Sequence, residues 1–172
     1  HAPLKADRRD VVLSAPIRTA ADLDVRAVRF GNQMGTRAEM VLEQPAKPGV
    51  ATGEIDRLAH DYMVGVQQTV PATLEYAPPG HTPYPASLCT SVNHVVCHGI
   101  PGERKLKQGD IVNIDVTVIK DGFHGDTSRM FYVGAPSIQA RRLVDVTYEA
   151  MWRGIREVRP GAHLGDIGHA GQ

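Results

Sequence analysis

The chain has 172 residues, 42% of them hydrophobic and 22% charged, which is the composition of a globular protein large enough to bury a core. Its 19 basic and 19 acidic side chains cancel to a net charge of zero, so we expect no specificity for nucleic acid and no binding to an anionic membrane surface. No apolar stretch approaches the roughly 20 residues that cross a bilayer, so no membrane span is expected.

The first third of the chain predicts an arm and two helices. Residues 1–16 are polar and irregular and are expected to form an N-terminal arm. A helix is predicted over residues 20–42, behind a capping-box pattern at Thr19 and Asp22. A second helix, with Thr52 as its cap, is predicted because apolar residues follow with helical spacing, namely Ile55, Leu58, Ala59, Tyr62, Met63 and Val66.

A loop, an extended segment and a long helix follow. Residues 70–85 contain five prolines and predict a loop long enough to be functional. Residues 87–100 predict extended structure that runs into a turn. A helix is predicted from Ser137, as its cap, to about Val158, with a core stripe formed by Leu143, Val144, Tyr148, Met151, Trp152 and Ile155.

One sequence pattern occurs twice. Basic-Pro-Gly-x-x-x-Gly-acid-Ile stands at residues 47–55 and again at residues 159–167. The repeat predicts a duplicated α/β unit of which only the first copy is complete here. Residues 17–172 are then expected to form the first half of one domain.

Residues 111–131 predict a β-hairpin around Asp121-Gly122, a strong two-residue turn signal. A two-residue loop places Thr117 opposite Asp126, and Asp115 lies on the same face as Thr117. Asp115 and Asp126 are then diagonal neighbours with Cα atoms roughly 7–8 Å apart. Two carboxylates at this spacing can share a cation, and without one they repel each other.

Other metal-binding or acid-base residues are less well specified. His94 and His98 are four residues apart, but the Val-Val-Cys between them favours a strand, in which they would lie roughly 13 Å apart. A chelate of the two histidines is therefore not expected. His98 alone precedes a Gly-Ile-Pro-Gly turn, and a histidine there can act as an acid or base near neutral pH. Cys89 and Cys97 have no CxxC spacing, and reduced thiols in a cytoplasmic protein are expected.

Three segments resemble type I methionine aminopeptidases. They are residues 87–101, residues 110–118 and residues 122–131. The resemblance implies a pita-bread fold of class α/β (α+β), in which two α/β halves enclose a site for two divalent metal ions, with Co, Mn, Fe and Zn as the candidates.

The resemblance also implies roles for individual residues. Asp115 and Asp126 match metal ligands, and His98 matches a histidine that contacts the substrate and assists the chemistry. Residues matching the pocket for the methionine side chain are Cys89, Tyr84 and Tyr76. One histidine and two glutamate ligands would belong to the second half, so the chain as written is expected to be inactive alone.

The implied activity is removal of the N-terminal methionine from nascent polypeptides when the next residue is small. Ribosome association and a monomeric state for the full-length protein are further expectations. Two alternatives stay open. One is a non-catalytic binding module of the same fold, and the other is a different pita-bread peptidase such as a prolidase-type enzyme.

Overall fold

The structure is a computed structural model that describes residues 46–172. The arm predicted over residues 1–16 and the helix predicted over residues 20–42 lie outside the described residues. Within the described part, no helix combines the length and apolarity needed to cross a membrane.

A four-stranded antiparallel sheet forms the centre of the described residues. Strand β3 (Ile111–Lys120) pairs along its whole length with β4 (Phe123–Tyr132). Strands β1 (Val70–Pro71) and β2 (Cys89–Val92) share the other edge of β3. Strand β3 is therefore the central strand, and both of its edges are paired.

Helix α1 (Thr52–Asp61) continues into a single π-helical turn at Tyr62–Val66. The prediction that Thr52 caps this helix is wrong, because Thr52 is its first residue and Ala51 is the N-cap. The Thr52 hydroxyl instead accepts from the Gly102 N–H at 2.9 Å and lies 3.2 Å from the Gly102 carbonyl oxygen. It thereby joins α1 to a segment fifty residues away.

The apolar face predicted for this helix is confirmed at Ile55, Ala59 and Met63, which are fully buried, whereas Val66 is 68% exposed. These buried residues belong to one cluster with the alternate residues of β3, namely Val112, Ile114, Val116 and Val118. Each such side chain contributes roughly 1.5–3 kcal/mol by leaving water. The other residues of β3 point to the opposite face, where Asn113, Asp115, Thr117 and Ile119 are half-buried.

The extended segment predicted over residues 87–100 is a strand only as far as Val92. The expectation of strand structure at residues 94–98 is wrong, because the chain turns at Asn93, where φ is 55°. The Asn93 side chain donates to Asp110 at 2.8 Å and accepts from the Ile111 N–H at 3.0 Å. These bonds tie the end of β2 to the beginning of β3.

Helices α2 (Ile138–Arg156) and α3 (Leu164–Gly171) follow the hairpin. The predicted cap is confirmed, since the Ser137 hydroxyl accepts from the Ala140 N–H at 3.1 Å. The predicted core stripe is wrong in the described residues. Its members are partly or largely exposed, with Leu143 59%, Tyr148 48% and Met151 46% exposed and with Val144, Trp152 and Ile155 half-buried. Among the described elements, α2 packs chiefly on α3, so most of its apolar face has no cover.

The two copies of the repeated pattern adopt the same local structure. Gly49 and Gly161 both have positive φ, 92° and 87°. Each copy then opens a helix, α1 at Thr52 and α3 at Leu164. Equivalent positions in the pattern therefore have equivalent conformations, as the predicted duplication requires.

Candidate functional site

The β3–β4 hairpin brings two carboxylates together on the face of the sheet opposite α1. Asp121 and Gly122 form its two-residue turn, with φ values of 52° and 82°, as a type I′ turn requires. Thr117 pairs with Asp126, so the predicted register is confirmed. Asp115 and Asp126 are therefore diagonal neighbours on that face.

Asp115 is half-buried, and its surroundings disfavour its negative charge. Burial raises the pKa of the Asp115 carboxyl above its ordinary value, and the nearby Asp126 raises it further. His98 acts in the opposite direction on the same pKa. The imidazole thus lies within electrostatic range of the carboxylate pair, and a cation would relieve the repulsion between the two acids.

Cys89 lies directly opposite Asp115 where β2 pairs with β3. It is 5% exposed. Burial raises the pKa of the Cys89 thiol, a hydrogen bond with Tyr84 lowers it, and Asp115 and Asp126 add to the increase. The thiol therefore lies beside the two carboxylates.

Tyr84 also borders the site, whereas the Tyr76 side chain is 63% exposed. The Tyr84 hydroxyl lies 3.0 Å from the Gly99 carbonyl oxygen and 3.3 Å from that of Leu88. Desolvation has the largest effect on the pKa of the Tyr84 phenol and raises it, and the hydrogen bond with Cys89 raises it further. Tyr76 is joined to Tyr84 through the backbone, where the Tyr84 N–H donates to the Tyr76 carbonyl at 2.9 Å.

His98 stands at the end of the turn that follows β2, with an exposed side chain. Its φ of 52° lies in the left-handed region that non-glycine residues seldom adopt. Residues with such backbone conformations concentrate at functional sites, where the surrounding structure holds them. The structure thus brings together five of the six candidate residues, namely Tyr84, Cys89, His98, Asp115 and Asp126.

Two residues that were not among the predicted site residues anchor the segment before Cys89. Asp56 Oδ1 accepts from the backbone N–H of Ser87 at 2.8 Å and of Leu88 at 3.1 Å. His60 Nδ1 lies 2.8 Å from the Ser87 hydroxyl oxygen. The signal was available, because an aspartate and a histidine four residues apart share one face of a helix. Cys97 was also missed as a neighbour of Cys89, whose pKa it influences.

The two carboxylates fit a divalent cation, which prefers hard oxygen ligands. Within residues 46–172, no group of three or more His, Cys, Asp or Glu residues is arranged to hold a metal ion. Among these residues Asp115 and Asp126 are a pair of candidate ligands without a third beside them.

Comparison with known proteins gives a consistent result. Residues 17–172 match the model of metallopeptidase family M24. The methionine aminopeptidase of Escherichia coli strain K12 is 50% identical over 148 residues, which are 86% of this chain and 54% of that relative. The chain therefore spans about half the length of the curated relatives it matches.

Solved structures give the same picture of the fold. A crystal structure of methionine aminopeptidase from Rickettsia prowazekii is 49% identical, with a TM-score of 0.79, over 84% of this chain and 56% of that one. Prolidase from Pyrococcus furiosus is 16% identical, with a TM-score of 0.73, over 88% of this chain and 42% of that one. At this low identity the prolidase likeness shows the fold alone, and that fold is the pita-bread fold.

Proposed function

Because the chain belongs to metallopeptidase family M24, we propose that it provides one half of the active site of a methionine aminopeptidase. The reaction is hydrolysis of the peptide bond after an N-terminal methionine when the next residue is small. The observation that carries the proposal is the pair of carboxylates, Asp115 and Asp126, held diagonally on one face of the hairpin. The high identity to proteins named methionine aminopeptidase supports it.

In this proposal Asp115 and Asp126 hold two divalent metal ions, of which Co, Mn, Fe and Zn are the candidates. When bound, such ions supply a water nucleophile at neutral pH and polarise the scissile carbonyl. The raised pKa of the Asp115 carboxyl in the chain without metal is consistent with a cation-binding role, since repulsion between two acids favours a cation between them.

The remaining site residues act on the substrate. His98 hydrogen-bonds near the scissile amide and assists departure of the amine. Cys89 forms the inner wall of the pocket for the unbranched methionine side chain, with Tyr84 beside it and Tyr76 at the outer rim. The natural substrates are nascent polypeptides in the cytoplasm. We further propose that the protein associates with the ribosome and is monomeric at full length.

The test uses the whole protein encoded by the gene, purified with added Co or Mn. We expect it to release methionine from Met-Gly-Met and to leave X-Pro dipeptides intact. Asp126→Asn is expected to abolish the release, because it removes one of the two charged ligands. Asp121→Asn, in the turn of the same hairpin, is the matched control and should retain activity, since Asn also adopts positive φ.

Two results would contradict the proposal. Cleavage of X-Pro dipeptides in preference to Met-Gly-Met would indicate a prolidase-type enzyme. Absence of any metal-dependent release, with binding of peptides retained, would indicate a non-catalytic module.

A further inference from the structure

Gly99, the residue after His98, is hydrogen-bonded to strand β2 and packs closely against it. Its carbonyl oxygen accepts from the Thr90 N–H at 2.8 Å, and its own N–H donates to the Ser91 hydroxyl oxygen at 3.2 Å. The approach is so close that a Cβ on Gly99 would lie 2.1 Å from the Thr90 carbonyl oxygen. The backbone just beyond His98 is therefore held against β2.

The Tyr84 hydroxyl is the second donor to the Gly99 carbonyl, at 3.0 Å. A carbonyl oxygen has two lone pairs, so the Thr90 N–H and the Tyr84 hydroxyl can both donate to it. Thr90 and Ser91 belong to β2, whereas Tyr84 reaches Gly99 from the loop that precedes this strand. Tyr84 is itself fixed, because its N–H donates to Tyr76 and its carbonyl accepts from the Glu75 N–H, each at 2.9 Å.

The contacts on Gly99 matter because His98, the residue before it, has an unusual backbone conformation. A non-glycine residue with φ of 52° is unfavourable by itself and persists where neighbouring contacts determine it. The contacts on Gly99 are such neighbours. The Ser91 hydroxyl holds the N–H of the peptide that follows His98, and the Thr90 N–H and the Tyr84 hydroxyl hold the carbonyl of the next peptide, between Gly99 and Ile100. The position of the His98 side chain, whose charge acts on the pKa of the Asp115 carboxyl, depends on this stretch of backbone.

We propose that Tyr84 is a positioning residue for His98, acting through its hydrogen bond to the Gly99 carbonyl. The inference rests on the proposed function, because it takes His98 as the residue that acts on the scissile amide. In this proposal the Tyr84 hydroxyl helps to position His98 for the reaction, and only the Tyr84 ring lines the methionine pocket. A loop that ends at Tyr84 thereby influences the chemistry of His98.

The experiment compares Tyr84→Phe with the unchanged full-length protein, loaded with Co or Mn, on a Met-Ala peptide. The ring is retained and the hydroxyl lost, so we expect kcat to fall roughly tenfold while KM stays within about twofold, as for a misplaced catalytic group. Tyr148→Phe, an exposed tyrosine on α2, is the matched control and should leave both constants unchanged. An unchanged kcat, or a rise in KM alone, would overturn the inference and leave the proposed function standing.

Ser91→Ala provides a second variant in case Tyr84→Phe fails to fold. It removes the acceptor of the Gly99 N–H, so kcat should again fall with little change in KM. Hydrogen exchange of the Thr90 amide, which donates to the Gly99 carbonyl, can be measured without substrate and is therefore independent of turnover. Tyr84→Phe should increase the exchange rate several-fold. If exchange at Thr90 is unaltered, the phenol does not hold the turn. If the unchanged protein fails to cleave Met-Ala, both the proposed function and this inference are wrong.

Discussion

Cys89 and Asp115 are direct partners across strands β2 and β3. Burial raises the pKa of both groups, and the Asp115 charge contributes to the increase at Cys89. The charge of Asp115 therefore disfavours ionisation of the Cys89 thiol. A protonated Cys89 thiol behaves as a small apolar side chain. The Asp115 carboxylate beside it has no charge to share with the thiol and can bind a cation.

The first prediction concerns the two thiols. Cys89 is buried and Cys97 is exposed, and only the thiolate reacts with iodoacetamide. At about pH 7.5 we expect Cys97 to be alkylated at least roughly tenfold faster than Cys89, measured by peptide mass spectrometry over time. Denatured protein, in which both thiols are accessible, is the control and should show similar rates. Faster labelling of Cys89 in the folded protein would contradict the buried position described above.

The second prediction concerns Gly99→Ala. The new Cβ would meet the backbone of Thr90, with the carbonyl oxygen at 2.1 Å and its carbon at 2.8 Å. Backbone atoms cannot rotate away as a side chain can, so we expect a loss of about 2–3 kcal/mol in the free energy of unfolding, measured by urea denaturation.

Gly165→Ala is the matched control for this substitution. Nothing lies within 4 Å of a Cβ at Gly165, which is inside helix α3. Alanine is the better helix former, so the control should be neutral or stabilising by about 0.5–1 kcal/mol. Equal stability of the two variants would show that Gly99 is not in close contact with β2.

The hairpin register was predictable because a two-residue turn and the strand period of two together determine which residues share a face. Only short-range information is needed there, and Asp115 and Asp126 followed from it. Thr52 was mispredicted for the opposite reason. Its hydroxyl has two competing uses, the local cap and Gly102, and the partner that prevails is fifty residues away. The turn at Asn93 likewise depends on Asp110, which sequence periodicity does not reveal.

The third prediction concerns Asp56, whose carboxylate accepts two backbone N–H groups ahead of Cys89. Asp56→Ala leaves both donors without this acceptor, so the free energy of unfolding should fall by roughly 2–3 kcal/mol. Asp61→Ala is the matched control, because Asp61 is an exposed aspartate on the same helix. It should change stability by less than about 0.5 kcal/mol.

The same residue gives a pH dependence. Burial raises the pKa of Asp56, and the N–H groups of Ser87 and Leu88 and the nearby His60 only partly offset this. A carboxyl with a raised pKa in the folded state contributes most stability at low pH and loses that contribution as pH rises through the folded pKa. Asp56→Asn keeps an acceptor oxygen without the charge. Relative to the unchanged protein, it should therefore be less destabilising at about pH 7 than at about pH 4. A penalty that grows with pH would reverse the sign and contradict the desolvation argument.

The last prediction concerns the apolar face of helix α2. Its helical period was predicted from the sequence, but periodicity identifies a face and does not identify what covers it. In the described residues Leu143 is 59%, Val146 55% and Met151 46% exposed, and exposed apolar groups of this kind bind hydrophobic dyes.

We expect the 172-residue chain to enhance the fluorescence of anilinonaphthalene sulfonate. Leu143→Gln combined with Met151→Gln should reduce the enhancement by about half, with helix content by circular dichroism retained because glutamine is a good helix former. Arg142→Gln, on the same helix, is the matched control and should leave the fluorescence unchanged. Dye binding that persists in the double variant would place the accessible apolar surface on another part of the chain.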